Sequence, residues 1–128
     1  VAVFKRAYAL FQQRGYRIRL LSAAFRNHLH WSEFIGGDVV ISPPYIWQVR
    51  FNKSDVPIAR RIDVPVDPRI VDRLLAKFPD FRRAYIEDEM TVDAFDEFPP
   101  TIRTLRQFVA ACTELNQLVG DVVLPNPD

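Results

Sequence analysis

A chain of 128 residues, 48% hydrophobic and 26% charged, with a formal net charge of +1, is sized for one globular domain and is not a disordered or fibrous sequence. Its lysines and arginines are dispersed among acids, which leaves no electrostatic footprint for nucleic acid or an anionic membrane surface. The single cysteine, Cys112, excludes an internal disulfide, and without a long apolar run or a signal-like start the expected setting is reducing and cytoplasmic.

Residues 2–13 place Val3, Ala7, Leu10 and Phe11 on one helical face, with Lys5, Arg6, Gln12 and Gln13 mostly on the polar side, and Gly15 supplies a C-terminal stop. Val1 stands where a methionine would begin a chain and already lies within this pattern, so the sequence reads as a truncated piece. Residues 17–23 follow as a strand. Ile18, Leu20, Leu21, Ala23 and Ala24 make it too apolar for a sheet with one wet face, which points to a parallel strand covered on both sides. The strand delivers Arg26 to its carboxyl end, where parallel α/β folds place ligand-binding groups. Asn27 is suited to cap a short helix over 28–35, Gly36-Gly37 ends it, and residues 38–42 form a second strand stopped by Pro43-Pro44. The spacing fits a right-handed crossover between parallel strands.

Tyr45, Ile46, Trp47 and Val49 then suggest a helix with proline at its first position, ending near Asn52-Lys53-Ser54. Residues 55–68 carry Pro57, Pro65 and Pro68 and read as a connection over the surface. Residues 66–78 are moderately helical, 81–86 are ambiguous, and 91–98 suggest a short helix. Pro99-Pro100 introduces the strongest helical pattern, 101–119, in which Ile102, Leu105, Phe108, Val109, Cys112, Leu115 and Val119 recur at spacings of three and four. Residues 124–128 are a polar, proline-broken terminus. Two parallel strands do not close a fold, so the sheet is expected to be completed by further sequence.

Three stretches resemble the transaldolase family. They are Tyr8-Ala9-Leu10-Phe11-Gln12-Gln13-Arg14-Gly15-Tyr16, the strand ending Ala24-Phe25-Arg26-Asn27, and Gly37-Asp38-Val39-Val40-Ile41-Ser42-Pro43. Phe81, Asp88, Met90, Val92 and Asp93 resemble the family's approach to its final helix. The resemblance implies an α/β fold, the C-terminal portion of a (β/α)8 TIM barrel holding its last two strands and followed by C-terminal helices. Residues 1–54 would be the last two β/α units and 55–128 a helical extension. It further implies a transferase that moves a dihydroxyacetone unit between sugar phosphates through a Schiff base on a lysine, with no cofactor. Arg26 maps onto the arginine that holds the substrate phosphate, with Ala24, Phe25, Asn27 and Ser42 as neighbours of the site. A guanidinium suits that task because its planar fork takes two phosphate oxygens and stays charged.

Ala24 stands where the family usually has serine, which removes a hydroxyl beside the site. Lys5 on a polar face, Lys53 in a turn and Lys77 near a helix end are poor Schiff-base candidates, so the chain contributes no catalytic residue of its own. Judged on residues alone, Arg26 could instead pair with Asp38 or Glu33, Asn27 serve as an N-cap, Phe25 as core, and Ser42 bond the adjacent backbone. His28 and His30 point to different helical faces and read as solvated rather than as metal ligands. Trp31 and Trp47 read as packing residues. The acidic run Glu87-Asp88-Glu89 reads as favourable helix-terminal charge. Another Schiff-base sugar-phosphate aldolase, or an inert interaction module, remains open as an alternative, and a homo-oligomer is compatible with either.

Overall fold

The computed structural model describes residues 1–124; most of the proline-broken terminus, residues 125–128, lies outside them. The chain divides into two compact units, Val1–Tyr85 and a second from Ile86 onward. The first unit runs α1 (Ala2–Gln13), β1 (Leu20–Ser22), α2 (Leu29–Ser32), β2 (Val39–Ile41), α3 (Tyr45–Asn52), α4 (Pro68–Lys77) and α5 (Pro79–Tyr85). The second holds a 3-10 turn, Asp93–Glu97, and α6 (Pro99–Val123).

β1 and β2 pair in parallel with Leu20 beside Val39, Leu21 beside Val40 and Ser22 beside Ile41. Both are shorter than the spans 17–23 and 38–42 that the apolar composition suggests. Successive side chains leave opposite faces, and here one face is covered and the other is not. Ser22 is buried, while the register partners Leu21 and Val40 are 55% and 39% exposed. The expectation of a strand covered on both sides is therefore corrected for this chain: Leu21 and Val40, on one face of the sheet, meet solvent, as does Ile18 ahead of β1. Arg19 pairs with Asp38 at 3.1 Å beside the start of the sheet.

Gly15 ends α1 with φ +63°, as a left-handed stop requires. Pro44 sits at the N-cap of α3 rather than at its first helical position, its carbonyl accepting from Trp47 and Gln48. Asp67 caps α4 by accepting from the Arg69 amide at 2.9 Å, with Pro68 in the first turn. The ambiguous segment after Phe78 is helical as α5, with Asp80 in its first turn. In the second unit Phe98 is buried, packed edge-on against Phe95 at 6.4 Å. α6 extends beyond both expected ends, and none of its residues is buried: Leu105, Phe108, Val109, Leu115 and Val119 are all more than half exposed.

The first unit is held by a buried cation. Lys5 was expected on a polar face, yet its side chain is only 9% exposed. Its ammonium donates to Glu33 Oε2 at 2.6 Å and to the Arg61 and Val64 carbonyls at 2.8 and 2.7 Å, so all three of its donors are used. Arg61 closes the network on the other Glu33 oxygen at 3.0 Å. The connection 53–67 is thus pinned at its centre, not laid loosely over the surface, and Ile62 within it is buried. Ile35 O accepts from both the Arg61 and Ile62 amides. The approach is close enough that a Cβ on Gly37 would lie 2.8 Å from Ile62 Cγ1.

Two outcomes follow from this packing. Gly37→Ala should destabilise the chain by about 1–3 kcal/mol, because Ile62 has little room to yield, and urea unfolding measures it. For Glu33, burial pushes the carboxyl upward, but Lys5 and Arg61 outweigh burial and hold it below 4.5. A carboxylate depressed on folding contributes stability that is present above its ordinary value and lost as pH falls through the folded one. Acid unfolding should therefore begin below about pH 4.5, and Glu33→Gln should lower stability at pH 7 while flattening the acid limb of the stability curve.

Candidate functional site

The carboxyl end of β1 opens into a tight turn. The Ser22 carbonyl accepts from the Ser42 amide at 2.9 Å, which sets the two strand ends side by side. Ala24 then adopts φ +53°, a left-handed conformation that is costly for a residue with a Cβ. Phe25 turns inward and is 2% exposed, and Arg26 turns outward. Asn27 Oδ1 accepts from the Leu29 amide at 3.0 Å and so caps the start of α2, the role its residue type suggested.

The Arg26 guanidinium curls back on its own turn, Nη1 donating to the Ala24 and Phe25 carbonyls at 3.1 and 2.9 Å. The two carboxylates weighed as ion-pair partners are engaged elsewhere, Asp38 with Arg19 and Glu33 with Lys5 and Arg61. Arg26 is exposed, on a backbone whose own amide is bonded to His30. Ser42 is exposed at the adjacent strand end, with its amide, not its side chain, in the described bond to Ser22.

Beneath the turn lies an aromatic cluster supplied by α2 and α3. Phe25 meets Phe51 at 5.5 Å and Trp47 at 6.4 Å, and Phe51 meets Trp31 at 5.1 Å. Arg50 stacks over Trp47 at 4.7 Å. Trp47 is therefore a packing residue, as is Trp31, whose Nε1 is buried without a hydrogen-bond partner. A separate cavity of about 420 Å³ beside α1, lined by Lys5, Tyr8, Ile62 and Tyr85 among others, shares no lining residue with the Arg26 turn.

His30 corrects the expectation of solvated histidines. It is half-buried, its Nδ1 accepts from the Arg26 amide at 3.2 Å, and its carbonyl accepts from Ser22 Oγ at 2.7 Å. The two-residue spacing to His28 carries no sign of this role. The informative spacing was four residues, from Arg26 across the helix start. His28 itself is exposed.

Over 91 residues, 70% of this chain, the sequence is 28% identical to a transaldolase of Synechocystis sp.. The chain is similar to part of a transaldolase. The matched stretch is 23% of that relative, so the chain spans about a quarter of its length. No family model matches the sequence, and no solved structure does. The transaldolase match supports a relationship to that family and is consistent with a partial barrel in a mixed α/β chain. Among the described residues no helix is long and apolar enough to cross a membrane.

The left-handed residue at the centre of the site gives a direct check. Ala24→Gly should be neutral or stabilising by up to about 1 kcal/mol, since relief of strain opposes the entropy of added glycine freedom, whereas Ala24→Val should cost more than about 1 kcal/mol. Thermal unfolding of the two variants distinguishes them.

Proposed function

We propose that this chain is the C-terminal part of a transaldolase-like (β/α)8 barrel in which Arg26 holds the phosphate of a sugar-phosphate substrate. Residues 1–54 are then the last two β/α units and 55–128 a C-terminal helical extension. The observation that carries the reading is an exposed arginine at the carboxyl end of a parallel strand pair, in a chain similar to a transaldolase over 91 residues. The uncovered sheet face at Leu21 and Val40 suits further strands of such a barrel.

In this reading the intact protein transfers a dihydroxyacetone unit between sugar phosphates through a Schiff base in a reducing, cytoplasmic compartment. The lysine belongs to an earlier strand. Lys5 is a poor candidate because Glu33 and two carbonyls hold all three of its protons, and Lys53 and Lys77 are exposed. Arg26 contributes by binding at a distance from the reacting carbon. Its fork anchors the phosphate, and that binding orients the carbonyl for attack. Ala24, Phe25, Asn27 and Ser42 shape and support the anchor, while Ala24 in place of serine removes one donor to the substrate.

Arg26→Ala in the intact protein should raise KM for phosphorylated substrates by roughly 100-fold, the loss of two charge-assisted bonds, and leave unphosphorylated analogues nearly unchanged. Equal effects on both substrates would remove the phosphate role. Borohydride trapping of dihydroxyacetone separates an active enzyme from an inert relative, which forms no adduct. Dependence of turnover on an acceptor aldose phosphate separates transfer from simple aldol cleavage.

A further inference from the structure

We propose that His30 is the positioning residue for Arg26: its carbonyl holds the strand side of the strained turn that presents the guanidinium, and its ring, only as the neutral imidazole, holds the far side. The proposal rests on the reading of Arg26 as a phosphate anchor for its functional meaning, and on geometry alone for the clamp. Two bonds from one residue bracket the left-handed Ala24. On the strand side, buried Ser22 Oγ donates to the His30 carbonyl at 2.7 Å. On the far side, the Arg26 amide donates to His30 Nδ1 at 3.2 Å. A left-handed alanine persists only where its surroundings over-determine it, and here the surroundings include both contacts. The buried Phe25 ring lies 6.0 Å from the imidazole in a tilted arrangement.

The direction of the Arg26 bond fixes the protonation state. Nδ1 accepts, so it carries no proton, and the single ring proton of the neutral form sits on Nε2. Protonating Nδ1 turns the acceptor into a donor facing another N–H. The turn then loses its far clamp and gains a cation beside Arg26. The charged groups facing the ring are the amino terminus and the Arg26 guanidinium. Burial first, then these two charges, lower the His30 pKa below 6.5, opposed by a hydrogen bond with the Ala24 carbonyl. A base whose folded value is lowered contributes stability that is present above pH 6.5 and lost as pH falls. The clamp is therefore set at neutral pH and released on acidification.

The 128-residue chain itself carries the test, through amide NMR and titration with inorganic phosphate at pH 7.5. In the wild-type chain the Arg26 amide resonance should follow the His30 ring with a shared midpoint below 6.5. His30→Asn, whose Oδ1 can replace Nδ1 as acceptor, should abolish that titration yet bind phosphate within about 2-fold of wild type. His30→Ala should weaken phosphate binding about 5-fold or more, and Arg26→Ala should lose it. An Arg26 amide that stays still while the ring titrates overturns the clamp, as does wild-type phosphate affinity in His30→Ala when Arg26→Ala has lost binding. Phosphate binding that survives Arg26→Ala, or none in the wild type, counts against the anchor reading alone, and the amide titration still decides the role of His30. Should His30→Ala fail to fold, the amide titration and the asparagine variant carry the decision.

Discussion

The buried ammonium of Lys5 is the constraint on which the rest of the first unit depends. An amine taken out of water is tolerated only when paired and fully hydrogen-bonded, and its three acceptors come from two distant places: Glu33 at the end of α2, and the carbonyls of Arg61 and Val64 in the long connection. One cation therefore fixes α1, α2 and the long connection to one another. The connection, so held, sets Ile62 against Gly37 and gives its amides to Ile35. Tyr8 of α1 also accepts from the Asp38 amide at 3.3 Å, so the approach to β2 is tied to the same helix.

This fixed frame makes a strained turn affordable at the site. α2 is a single short turn of helix and has little stability of its own. It keeps its place because Glu33 anchors its end, Phe34 stacks on Phe4 at 4.0 Å, and Asn27 caps its start. His30 lies between those fixed points, and from there both its carbonyl and its ring reach the Ala24 turn. The aromatic residues of α3 support the same turn from below through Phe25. Arg26 is thus an exposed side chain on a backbone held from several directions, the arrangement a recognition residue needs if it is to lose little entropy on binding.

Local signals in the sequence were legible where the cause was local. The periodicity of α1, the glycine at its end, the parallel pairing implied by a short helical crossover, the asparagine cap of α2 and the repeat in α6 each rest on residues a few positions apart, and the structure carries them. Lys5 was misplaced because its partners lie 28, 56 and 59 residues away, and a lysine on a helix offers no local sign that it will be buried. The connection after α3 reads as surface from its prolines, while Ile62 within it packs against Gly37, a residue far upstream. His30 was legible only in part: a histidine four residues after an arginine at a helix start permits a bond to the backbone, but the left-handed alanine that makes the bond matter is invisible in sequence. Strand burial was over-read for a different reason. Apolar composition records what a strand is built to face, and Leu21 and Val40 face solvent here.

The same distinction bears on what the chain can do by itself. Contiguous apolar surface left open on a folded unit marks a place where something packs, and the first unit opens such a surface on its sheet, at Leu21 and Val40, beside the turn that bears Arg26. A ligand held by one exposed arginine alone would remain wet, and its charge-assisted bonds would be weakened by water. Cover over the sheet face would dry one side of the turn without moving the backbone that Lys5 and His30 already hold. The anchor is thus built before its enclosure, and affinity at Arg26 should depend on what packs against β1 and β2 more than on any further change within the turn.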